Sequence, residues 1–216
     1  MFTRLIKKFA KPGPGAETPS IMGLRLGASF EVDPLAIRLV LDELIIESCS
    51  PTQIIKAAGV VDLDGTWVYR FYTDDDAWLQ VVAEGGNRDD QVVDVKLFHF
   101  YDTRDIASEQ AWNQLLEREI GCPNYDLDGR SYRRVWTAAG EYHNPVHMAE
   151  KTFDEGGGHS STDQFTMLFE RELSDRRTES LFLSAEEKLE PGGYLSRCLV
   201  LSTGITLTPS QLTIHG

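Results

Sequence analysis

Residues 54–101 read IIKAAGVVDLDGTWVYRFYTDDDAWLQVVAEGGNRDDQVVDVKLFHFY, four apolar runs separated by turn chemistry. The first, Ile54 to Val61, leads to Asp64-Gly65, a pair favoured in two-residue hairpin turns. In the second, Trp67, Tyr69 and Phe71 alternate with Val68, Arg70 and Tyr72 at the period of a strand. Thr73 to Asp76 turns the chain into Trp78 to Ala83, and Glu84 to Asp90 turns it into Val92 to Tyr101. These runs predict a four-stranded antiparallel meander.

Downstream, Ser108 to Ile120 places Trp112, Leu115, Leu116 and Ile120 on one helical face, with Gly121 as the stop. Asp128-Gly129 marks another turn before a strand from Ser131 to Trp136. Residues Ala138 to Ser161 look irregular, with Asn144-Pro145 capping a short helix to about Phe153. The last third repeats the first in layout: Phe165 to Leu173, Ser180 to Leu189, Tyr194 to Leu201 and Ile205 to Ile214, separated by turns. The expected class is α+β, mostly antiparallel meanders with one or two short helices. Two meander halves, about 21–104 and 131–216, are joined by the helix at 108–120, as two packed sheets or one curled barrel.

Towards the N-terminus, Asp33-Pro34 signals a short helix to about Asp42, and the Pro- and Gly-rich stretch 12–20 reads as a linker to a single domain over 21–216. Residues 1–11 differ from everything after them. Phe2, Leu5, Ile6 and Phe9 share one helical side, with Arg4, Lys7, Lys8 and Lys11 largely opposite. The other 17 Lys and Arg face all 34 Asp and Glu, so a basic segment is tethered to a body of formal charge −17. That contrast predicts docking of the segment on an anionic membrane surface or a membrane-bound protein.

The net charge of −13, with no basic stripe after Lys11, argues against nucleic-acid binding. No apolar run reaches the length of a membrane span or a secretory leader. Cys49, Cys122 and Cys198 are odd in number and widely spaced, which predicts reduced thiols in the cytoplasm.

No catalytic signature emerges, and neither a metal nor a cofactor is expected. The repeated Asp62-Leu63-Asp64-Gly65 and Asp126-Leu127-Asp128-Gly129 lack the ligand set of a calcium loop and read as hairpin turns. His143, His147 and Glu150, with His159 beyond, have metal-compatible chemistry but no fixed helical spacing. Ser160 and Ser161 beside His159 lack a nucleophile elbow. Asp74, Asp75 and Asp76 repel one another, which a basic partner or cation would relieve. His99 and Tyr101 lie near a strand end where a cleft could open.

Gly23-Leu24-Arg25-Leu26-Gly27, Pro51-Thr52-Gln53, Phe71-Tyr72-Thr73-Asp74-Asp75-Asp76, Asp94-Val95-Lys96-Leu97 and Phe100-Tyr101-Asp102-Thr103 together resemble the uncharacterised YjfK-like family of bacterial proteins, over most of residues 21–190. The resemblance implies a cytosolic bacterial protein of no assigned activity. Its genes tend to neighbour those of a phage-shock-type membrane-remodelling protein, small membrane proteins and a glutathionylspermidine-synthase-like ligase. The expected function is therefore a non-enzymatic adaptor, cytoplasmic or peripheral at the inner membrane and linked to envelope stress. The alternative is an enzyme or small-molecule binder with a pocket around His99, Tyr101, His143 and His147. A convergent polar pocket favours the alternative, and a flat acidic face the adaptor.

Overall fold

The computed structural model describes residues 18–190 and 192–216. The segment 1–11 and most of the linker 12–20 lie outside the described residues.

Among the described residues the first elements are β1 (Ser29–Val32) and α1 (Pro34–Arg38), where the Asp33 carboxylate caps the helix by accepting from the Leu35 N–H at 2.9 Å. The first meander follows as β2 (Thr52–Leu63), β3 (Thr66–Thr73), β4 (Ala77–Glu84) and β5 (Val92–Asp105). Next come α2 (Glu109–Gln114), capped by Ser108 and extended by a π turn over 115–119, and the small hairpin β6 (Asn124–Leu127) and β7 (Arg130–Arg134). The second meander is β8 (Val146–Asp154), β9 (His159–Glu172), β10 (Thr178–Leu189) and β11 (Leu195–Thr206), and β12 (Leu212–His215) ends the chain. Both Asp-Gly pairs turn hairpins, with Asp64 and Gly65 at φ of 50° and 100° and Asp128 and Gly129 at 49° and 73°.

The meanders do not stack face to face. They join at both edges: β5 pairs β11 from Lys96↔Thr206 to Asp105↔Cys198, and β2 pairs β8 from Ala57↔Asp154 to Val60↔Lys151. The ring β2-β3-β4-β5-β11-β10-β9-β8 is a closed eight-stranded antiparallel barrel, of the two expected arrangements the curled barrel. Closure leaves the ring no free edge. At its N-terminal end β2 pairs β1 instead of β8, and towards its C-terminal end β9 pairs β7, so extra strands flare off the barrel at two places.

One correction concerns residues 144–153. The short helix expected after Asn144-Pro145 is strand β8, paired on both sides. Its residues alternate, with Met148 and Glu150 buried between exposed His147, Ala149 and Lys151. Tertiary pairing with two long neighbours outweighs the local capping signal.

Strand alternation divides the core between the two faces of the barrel wall. Outward-facing Tyr69, Phe71, Leu79, Val81, Val95 and Leu97 pack under residues 21–49 and β1. On the opposite side Met167, Phe169, Leu181, Leu183, Leu199 and Leu201 pack under α2 and the β6-β7 hairpin. The inward face is mixed: Trp78, Phe98 and Phe182 form a small aromatic cluster among buried polar and charged residues.

Candidate functional site

An eight-stranded barrel is just wide enough to be filled by side chains or to hold one small ligand. This one does some of each. A cavity of about 70 Å³ lies in the lumen, with lining residues from all eight strands of the ring, among them Ala57, Arg70, Trp78, Phe100, Glu150, Gln164, Glu186 and Ser202. At roughly 10–15 Å³ per water position, it holds about five waters or a molecule of about that many heavy atoms.

Arg70 of β3 is 1% exposed and crosses the lumen to Glu150 of β8, 2.7 Å away and equally buried. Its guanidinium also donates to Gln164 Oε1 and to Gln80 Oε1, and its Cζ lies 5.2 Å from the Trp78 ring centre and 5.1 Å from that of Phe182. Glu150 is equally saturated, accepting from the Tyr72 hydroxyl at 2.7 Å and the Gln164 amide at 2.9 Å. Burial opposes the charge on Arg70, and Glu150 more than offsets it. Burial, reinforced by Glu150, raises the Tyr72 phenol well above its ordinary value, so Tyr72 acts as a donor. Gly59 of β2 makes room for this pair: a Cβ there would lie 1.8 Å from Glu150 Oε1.

Glu186 of β10 is different. Ser184 Oγ donates to its Oε1 at 3.0 Å and Gln164 Nε2 donates to the same oxygen at 3.3 Å. Glu186 lines the cavity and is half-buried, with Lys188 of the same strand lining it too, and Arg70 is matched by Glu150. Burial, and then the nearby Glu150 charge, push its carboxyl up to about 7. The lumen therefore gathers Arg70, Glu150, Glu186 and Lys188 beside a wall of Trp78, Tyr72 and Phe100.

The residues singled out in the sequence lie elsewhere. None of His99, Tyr101, His143 and His147 lines the lumen, and they are not brought together. The Tyr101 hydroxyl donates to Asp128 at 2.6 Å, pinning the β6-β7 turn to β5. His143 sits in the loop before β8, its ring bonded to the Asn144 carbonyl, and His147 pairs with Asp163 at 2.8 Å on the exposed face of β8. Because residues 147 and 150 of a strand face opposite ways, the His147 and Glu150 pairing considered from the sequence is split by the barrel wall. The Asp74-Asp75-Asp76 run closes the β3-β4 turn, and two of its carboxylates are engaged within the chain. Asp74 accepts from the Ile54 N–H at 2.9 Å and Asp75 from the Ser50 N–H at 2.7 Å.

On the outer face, Cys49, Asp75 and His99 bring a thiol, a carboxylate oxygen and a ring nitrogen within 4.8 Å of one another, the one such metal-compatible group among the described residues. Of this trio the sequence pointed to Asp75 and His99 separately. It missed Arg70, Glu150 as a lumen residue, and Glu186. The signal was available only as polar residues at alternate strand positions, which read equally well as solvent-facing.

No described helix is long and apolar enough to cross a membrane. A family model described as "Protein of unknown function (DUF2491)" matches residues 1–213. The chain is 29% identical over 222 residues to "Uncharacterized protein YjfK" of Escherichia coli (strain K12), covering 100% of this chain and 98% of the relative. No solved structure matches.

Proposed function

We propose, from the premise that the chain belongs to the family described as "Protein of unknown function (DUF2491)", that its barrel is a binding module for a small organic cation, such as an amine of about five heavy atoms. The observation that carries this reading is Glu186, a half-buried carboxyl lining the cavity beside an aromatic wall. An ammonium group there pairs with the carboxylate. The aromatic wall favours a cation over a neutral molecule of the same size. A small anion meets the opposite balance, since the donors of Arg70 are already engaged and Glu150 and Glu186 repel it.

Thermal denaturation at pH 8 with size-matched amines, alcohols and carboxylates tests the reading. Stabilisation by amines alone supports it; equal effects of all three classes sink it.

A second reading rests on the sequence of residues 1–11. Four bases opposite four apolar side chains support docking of that segment at an anionic membrane surface or on a membrane-bound partner, with the acidic barrel held in the cytoplasm. In this reading the barrel is an adaptor whose ligand reports to the membrane.

A further inference from the structure

We propose that Cys49, Asp75 and His99 hold one zinc ion on the outer face of the barrel, clamping the segment before β2 to the β3-β4 turn and to β5. The three ligand atoms lie within 4.8 Å of one another although their residues are far apart in sequence. His99 is 8% exposed, and neither of its ring nitrogens makes a hydrogen bond. Its Nε2 stands 3.6 Å from Asp75 Oδ2, too far for one. Thr203, paired with His99 across β5 and β11, is fully buried, and its Oγ1 is also without a partner. Two neighbouring buried residues with three orphaned polar atoms are an exception to the near-universal pairing of buried polar groups. A bound ion with its water gives a partner to one His99 nitrogen and to the Thr203 hydroxyl.

The donor set selects the ion. A thiolate, an imidazole and a carboxylate together suit zinc, whereas calcium and magnesium require mainly oxygen. A divalent ion with one thiolate, one carboxylate and a neutral imidazole forms a complex of zero net charge, the kind a buried site tolerates. Three protein ligands leave the fourth tetrahedral position to water, with the Thr203 hydroxyl available beside His99. Zinc binding displaces the thiol proton, so affinity rises with pH. The site has no sequence motif, because its ligands come from a loop, a turn and a strand. The proposal reverses the expectation from sequence that the chain takes no metal.

The full chain, stripped by chelator and dialysed against micromolar zinc at pH 8, is analysed for metal. The stripped protein is also titrated with cobalt(II) as a spectroscopic probe. The proposal predicts about one zinc per chain. It further predicts a thiolate-to-cobalt charge-transfer band and a melting temperature that rises with zinc concentration. Cys49→Ser and His99→Gln should lose the band and the thermal shift, and Cys122→Ser should keep both. Absence of zinc from the dialysed wild-type chain, or a cobalt spectrum without thiolate absorption, overturns the proposal even if a variant fails to fold. So does a band that survives Cys49→Ser.

Discussion

Replacing Glu186 with Gln isolates the lumen carboxyl whose ionisation burial opposes most clearly. Gln keeps an oxygen to accept from Ser184 Oγ and Gln164 Nε2 while removing the ionisation. In the folded chain this carboxyl titrates near 7, against 4.5 as its ordinary value. The folded state therefore binds more protons than the unfolded state between those two values, and stability falls as pH rises through that window. Above it the wild type carries the cost of an ionised, half-buried carboxylate, at most about 3 kcal/mol from the displacement and less once solvent screening is allowed for. Urea denaturation at pH 8.5 should show Glu186→Gln more stable than wild type by about 1–3 kcal/mol. At pH 4.5 the two should agree within about 0.5 kcal/mol. A stability difference of the same size and sign at both pH values would refute the reasoning, because an uncharged contact and not ionisation would then be responsible.

Glu150→Gln should behave in the opposite way, costing about 3–5 kcal/mol by leaving the Arg70 guanidinium buried without its counter-charge, as measured in urea at pH 7. The double change Arg70→Met with Glu150→Met should cost less than either single change to Met, since neither member of the pair is left without the other; additivity of the two singles would contradict this. Gly59→Ala should destabilise by about 2 kcal/mol or more, because its Cβ would sit 1.8 Å from Glu150 Oε1 and must displace that carboxylate. Phe2→Ser with Phe9→Ser should weaken salt-sensitive co-sedimentation with anionic vesicles; equal pelleting of this variant and the intact chain at low salt removes the membrane reading.

Much of the barrel was legible in the sequence because its signals are local. Asp64-Gly65 and Asp128-Gly129 turn hairpins as their chemistry dictates, and the alternation in Trp67 to Tyr72 marks β3. Strand β8 was not legible, since Asn144-Pro145 carries a helix-start signal and the inward Glu150 interrupts the apolar half of the alternation. Its strand state depends on β2 and β9, both distant in sequence. The lumen was hidden for a related reason. Arg70, Gln164 and Glu186 occupy alternate positions opposite an apolar face, the pattern of a sheet with one side in water. Only closure through the β5-β11 and β2-β8 pairings turns that wet face into an interior. The Cys49, Asp75 and His99 cluster depends on the same long-range assembly, so no spacing rule could have found it.

A crystal structure of the full chain at pH 8, grown with a small alkylamine that stabilises it, tests the lumen site most directly. The account predicts density for the amine inside the barrel, its nitrogen within hydrogen-bond distance of the Glu186 carboxylate, with the Arg70–Glu150 pair unchanged. A lumen containing only water, with the amine bound outside the barrel, would contradict it.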